Sequence, residues 1–182
     1  MAAKTSVFYL TENIELPAAT AGTDVTDTID LGAYVDVADR QGVLVHSADF
    51  IWQGQDANGD WEELLQSLGG DGAGTCQVTD LNRGSMVFAD DRALVASGQI
   101  TTDNSNNAQH MGSDLFPDNF GPTSAQGGRI VINDQMYFRG RWTGTIDANK
   151  AVRATVRLKV SIINLSQKDF MAIALQSTAA DN

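Results

Sequence analysis

Between residues 152 and 162 the chain alternates without interruption. Val152, Ala154, Val156, Leu158, Val160 and Ile162 stand against Arg153, Thr155, Arg157, Lys159 and Ser161. A period of two puts every apolar residue on one face of an extended strand, whereas a helix would scatter them around its axis. Such a strand cannot bury its apolar face alone, so the chain must build a sheet and pack it against a second layer. Residues 129–142 repeat the pattern in two halves, with Asn133-Asp134 as a bend or bulge between them. The second half sets Met136, Phe138 and Trp142 against Tyr137, Arg139 and Arg141.

Residues 43–52 read as a third strand, with Leu44, Ala48, Phe50 and Trp52 sharing a face with His46, opposite Ser47 and Asp49. Val25, Ile29 and Leu31 oppose Thr26, Thr28 and Asp30 in a fourth. Residues 6–16, 75–81, 86–88 and 93–100 are further strands. Helix is scarce: Asp60 caps a short one over 61–68, and Ser166 caps a second over 167–176, with Asp169 completing a capping box. Gly69 to Gly74 reads as a flexible linker, and residues 101–128 as a long loop rich in Asn, Ser and Gly. About eight antiparallel strands, no βαβ alternation and one or two short helices predict an all-β fold. It is a single jelly-roll barrel or sandwich spanning residues 1–182.

Charge narrows the setting. The chain holds 19 Asp, 4 Glu, 4 Lys and 8 Arg, for a net charge of -11. Short carboxylates in excess keep a surface hydrated in concentrated salt, where a Debye length of about 3 Å at 1 M screens their repulsion. The composition therefore points to a halophile's solvent. It leaves nothing to neutralise phosphates, so no nucleic-acid partner is expected. The opening residues show no apolar h-region and no stretch approaches 18 apolar residues. The reading is of a protein made and folded inside a cell, with no transmembrane helix.

No catalytic signature emerges, and the chain reads as a non-enzyme without catalytic residues, metal or cofactor. Asp56-Ala-Asn58-Gly-Asp60 imitates a calcium loop, but counted from Asp56 the sixth and twelfth places hold Trp61 and Ser67 instead of Gly and Glu. It reads as a solvated turn. His46 and His110 lie 64 positions apart, and His46 reads as a packed residue on an apolar face. Trp52, Trp61 and Trp142 could form a sugar-stacking platform, but two of them fall on apolar strand faces. A carbohydrate- or ligand-binding β-sandwich module from a halophile is the alternative function. The residues singled out for subunit contacts are Arg139, Arg141, Arg153 and Arg157, on the polar faces of two strands. The lone cysteine, Cys76, forms no internal disulfide; it is either a buried apolar residue or a bridge between chains.

Chain size, the Asp-rich surface, the opening strand 6–16 and the closing strand and helix 153–176 together resemble a virion shell protein. More narrowly, the chain resembles the smaller major capsid protein of icosahedral, internal-membrane viruses of halophilic archaea (sphaerolipovirus-like). That resemblance implies a single jelly roll standing upright in a virion capsid assembled in the host cytoplasm. Its partners would be itself, as a homodimer, and a second, larger major capsid protein with the same barrel. Other capsid subunits would complete pseudo-hexameric capsomers around an internal membrane. Covalent links between subunits would fit Cys76 if that residue is exposed at a contact.

Overall fold

The computed structural model describes residues 2–113 and 128–179. Eleven strands and one helix follow in order: β1 (Ala2–Ala3), β2 (Phe8–Pro17), β3 (Val25–Asp30), β4 (Gln41–Gln55), β5 (Trp61–Glu62), β6 (Leu68–Thr79), β7 (Leu94–Asp103), β8 (Ala108–Ser113), β9 (Arg129–Val131), β10 (Gln135–Ile146), β11 (Ala151–Asn164) and α1 (Gln167–Ala179). They form two antiparallel sheets. In the first, β2, β11, β4 and β9 lie side by side, with β1 extending the line of β2 and β5 flanking the far end of β4. The second runs β3-β10-β6-β7-β8. Without the additions β1, β5 and β8, the remaining eight strands, numbered by chain position, run 1-8-3-6 in one sheet and 2-7-4-5 in the other. That order is a jelly roll. The sheets stay open at their edges and form a sandwich, not the closed barrel that was one of the two forms expected.

β11 sits between β2 and β4, in register along nearly its whole length. Its apolar residues from Val152 to Val160 enter the main core, as the alternation requires. There they meet Cys76, Val78, Ile100, Met136, Phe138 and Trp142 from the second sheet. Ile162, expected on the same face, lies past the register shift at Lys159/Val160 and does not join them.

The expected face of residues 43–52 is wrong at one end. Lys159 pairs with Ser47, but Val160 pairs with Val45, so His46 is an extra residue in β4. This β-bulge inverts the phase of the strand. Val43 and Val45 join Ala48, Phe50 and Trp52 in the main core, while Leu44 faces outward. There α1 covers it, in a satellite cluster of Leu44, Ile130, Ile163, Leu165, Phe170 and Ile173. Ser166 caps α1 as read: the Asp169 amide donates to Ser166 Oγ at 3.1 Å, and the return bond of a capping box is replaced by that hydroxyl donating to Asp169 Oδ2 at 2.8 Å.

Other elements depart from expectation for identifiable reasons. Residues 129–142 are not one bent strand: β9 and β10 lie in different sheets. The expected helix over 61–68 is β5 followed by a single 3-10 turn, Leu64–Ser67. Gly69 to Gly74 is not a linker but part of β6. The rings of Trp52 and Trp142 meet edge to face, 6.1 Å apart, above it. A Cβ on Gly74 would lie 2.5 Å from the Trp52 ring. Glycine here makes room for two indoles, and no flexible loop is involved. The expected loop 101–128 is in part a hairpin, with β7 running to Asp103 and β8 returning beside it; residues 114–127 lie outside the described residues. Residues 86–88 form no strand.

Candidate functional site

The outer face of the second sheet is polar, with Arg139 and Arg141 on β10, Gln77 on β6 and Thr26 on β3. The segment joining β6 to β7, residues 80–93, lies against this face and is fixed to it by side chains. Arg139 is only 2% exposed. Its Nε donates to Thr26 Oγ1 at 2.8 Å, its Nη1 to the Ser85 carbonyl at 2.7 Å and its Nη2 to Asn82 Oδ1 at 3.2 Å. The Gln77 amide does what a neighbouring strand would do: its Nε2 donates to the Val87 carbonyl at 2.7 Å, and its Oε1 accepts from the Val87 amide at 2.8 Å. Asp24 accepts from Arg141 Nε at 2.6 Å and from the Met86 amide at 3.1 Å. Arg83 pairs with Asp91 across the base of the loop at 3.2 Å.

Phe88 stands above these anchors, 86% exposed. A lone exposed aromatic is ordinary. One whose neighbouring backbone is held by a buried guanidinium, an amide pair and a carboxylate has already lost the freedom that binding would otherwise remove. Such preorganised aromatic anchors make efficient contact points. A shallow depression beside it is lined by Arg83, Met86, Phe88 and Asp91. Substituting Arg139→Met removes three hydrogen bonds and leaves Thr26 Oγ1 and the Ser85 carbonyl without that donor, while Asn82 Oδ1 still accepts from the Gly84 amide. Stability is expected to fall by at least about 1.5–3 kcal/mol, the range for one hydrogen bond to a charged group. Hydrogen exchange should accelerate first at the Met86 and Val87 amides; uniform acceleration over both sheets would show that Arg139 supports the whole fold instead of this loop.

A second buried pair ties the two sheets. Arg129 opens β9 in the first sheet, and Asp80 follows β6 in the second. Arg129 is 2% exposed; its Nη2 lies 2.8 Å from Asp80 Oδ2 and donates to the Arg92 carbonyl at 2.6 Å. Asn133 Nδ2 donates to the Asp80 carbonyl at 2.7 Å. Burial pushes the Asp80 carboxyl above its ordinary range, and the Arg129 charge opposes that shift. Arg129 Nε and Nη1 and Asp80 Oδ1 have no hydrogen-bond partner among the described residues.

The five contact residues expected from sequence do not share a surface. Arg139 and Arg141 face outward from the second sheet, and Arg139 is occupied in holding the loop. Arg153 and Arg157 face outward from the first sheet, on the opposite side of the sandwich. Arg153 is bound to Glu15 at 2.7 Å, to Gln55 and to Asn13, while Arg157 is exposed. Cys76 is 0% exposed, and burial raises its thiol well above the ordinary value. Its position in the core, facing Gly140, puts it out of reach of a partner chain unless the sheets separate.

The remaining candidates resolve as follows. Asp56 accepts from the Asn58 amide at 2.9 Å and the Asp60 amide at 2.8 Å. These bonds, that from Asp60 foremost, hold its carboxyl below the usual range, so this is an Asx turn. Among the described residues no three His, Cys, Asp or Glu side chains gather as a metal would need. His46 is half-buried at the bulge, not packed on the core face. Its Nε2 lies 2.9 Å from Ser161 Oγ, and burial followed by Lys159 lowers its pKa. Trp52 and Trp142 are core residues, which leaves Trp61, 67% exposed, without the platform a sugar would stack on.

Sequence reasoning missed Gln77, Asp80, Phe88 and Arg129 as residues of interest. The one legible signal was Arg129 itself, a charge set against the apolar pair Ile130-Val131.

No protein-family model matches the sequence, and no curated protein matches it. The fold is similar to VP1 of the Trichodysplasia spinulosa-associated polyomavirus in complex with GM1 oligosaccharide. That match has 8% identity and a TM-score of 0.40 over 91% of this chain and 97% of that one. Merkel cell polyomavirus VP1 in complex with disialyllactose gives 7% identity and a TM-score of 0.40 over 91% and 98%. A nora virus structure gives 9% identity and 0.36 over 91% and 60%. The strand order stands on the hydrogen-bond ladders of this chain and takes no weight from scores this low.

Proposed function

We propose that this chain is a structural subunit of a virus capsid. One observation carries the reading: the buried polar side chains fix the shape of the surface. Arg139 and Gln77 pin a loop that displays Phe88, and Arg129 with Asp80 ties the sheets beneath it. A jelly roll alone does not specify a role. One whose polar interior holds an apolar contact point rigid is suited to meeting other proteins repeatedly in one geometry.

The finer reading is a small major capsid protein of a halophilic archaeal virus with an internal membrane. It would pair as homodimers and with a larger partner of the same fold, building pseudo-hexameric capsomers, and it would act without catalysis. The acid excess supports the solvent part of this reading. Among the described residues, ion pairs engage Glu15, Asp24, Glu62, Asp80 and Asp91, and most of the other described carboxylates are exposed. Unscreened, exposed carboxylates oppose association; in molar salt they do not.

Light scattering and negative-stain microscopy from 3 M down to 0.1 M NaCl are expected to show dimers or capsomers in high salt that dissociate as salt falls. A monomer unaffected by salt would remove the capsid reading. Glycan binding by that monomer would replace it with the binding-module alternative.

A further inference from the structure

Among the described residues the sandwich has four edges, at β2, β3, β8 and the β5/β9 side. An edge strand offers unpaired N–H and C=O groups to any other strand, and proteins blunt that offer with charge, proline or shortness. Three of the edges here are blunted. β2 carries Glu12 and Glu15 and ends on Pro17; β3 carries Asp27 and Asp30; β5 and β9 are two and three residues long.

β8 has none of these devices. Its sequence is Ala108-Gln109-His110-Met111-Gly112-Ser113, and no charge occurs from Asn104 through Ser113. It pairs with β7 over six positions and with no other strand among the described residues. Ala108, Gln109, His110 and Met111 are all exposed, so alternate side chains on both faces of this strand meet solvent.

We propose that two copies of this chain join through β8, antiparallel about a twofold axis, fusing two five-stranded sheets into one of ten. Charge selects this occupant. Two chains each carrying a net charge of -11 repel over most of their surfaces and approach most easily where neither presents carboxylates. An antiparallel edge is also complementary to itself, as a twofold contact requires. The Met111 side chains would supply apolar contact across the seam. This pairing deepens the assembly reading above and rests on it.

The test is sedimentation of the full chain in 3 M NaCl, comparing wild type with Gln109→Lys/Met111→Lys, alongside hydrogen exchange at two protein concentrations. The double variant lowers the net negative charge, so general repulsion falls. Lysines desolvated against their own copies in a seam, where salt screens them much less than at the surface, should nevertheless weaken dimerisation roughly a hundredfold or more. In the wild type the amides of residues 108–113 should gain protection as concentration rises. Equal dimerisation of both proteins would overturn the β8 pairing and leave the assembly reading standing. Protection independent of concentration would also overturn it, by showing the edge covered within one chain. A wild-type monomer at every salt concentration would remove both.

Discussion

Replacing Arg129 with methionine is expected to cost about 3–5 kcal/mol at neutral pH, because it leaves the Asp80 charge buried without its partner. The loss should depend on pH in a definite direction. The folded-state pKa of Asp80 is already raised by burial, against the pull of Arg129. A raised carboxyl favours the fold below its ordinary pKa, and that advantage disappears as pH climbs through the folded value. Without Arg129 the shift grows. The deficit of the variant should therefore be smallest in acid and widen as Asp80 is forced to ionise. Adding Asp80→Asn to Arg129→Met should recover most of the neutral-pH loss, since no buried charge remains. Urea unfolding across pH reads both effects. A deficit that stays flat with pH, or that Asp80→Asn fails to reduce, would show that the guanidinium acts by packing alone.

Truncating Trp142 to alanine is expected to remove about 3–5 kcal/mol, the usual cost of emptying a large aromatic from a core. Trp142 is fully buried and meets Trp52 edge to face over the glycine segment of β6. The same geometry makes Gly74→Ala costly, by about 1–3 kcal/mol, because the new methyl group would push into the Trp52 ring. Shrinking that ring with Trp52→Leu should lower the cost of Gly74→Ala without abolishing it, because the Trp142 ring still lies 2.9 Å from the same Cβ. Additive losses in the double variant would separate the glycine from the indoles and refute the account of why β6 is rich in glycine.

Much of this architecture is written locally. The alternation from Val152 to Val160 places a central strand because β2, and β4 from Ser47 onward, keep the same period, and the capping pair Ser166 and Asp169 starts the helix where it stands. The misreadings share one physical origin. Gly69 to Gly74 looks like a linker until Trp52 and Trp142, distant in sequence, are known to lie on it. Leu44 appears to belong with Phe50 until a bulge at His46, visible only in the pairing with β11, reverses the face. Arg139 and Arg153 look alike on paper as polar residues of outward strand faces. Which of them is buried depends on where the loop after β6 comes to rest, and that is decided by Gln77 and Asp24 together with Arg139 itself. The candidate site was the least legible part because tertiary contacts create it.

The position of β10 and β11 sets a timetable for folding. Each is the strand to which its sheet's flanking members attach, β3 and β6 on one and β2 and β4 on the other, and both follow those partners in the chain. During synthesis β6, β7 and β8 can pair among themselves, but β3 must wait for β10, and β2 waits for a partner about 140 residues downstream, a loop closure whose entropy must be met before that pairing repays it. The chain is therefore expected to fold slowly and only once β11 is free of the ribosome. Until then β2 and β3 have no strand of their own chain to pair with among the described residues.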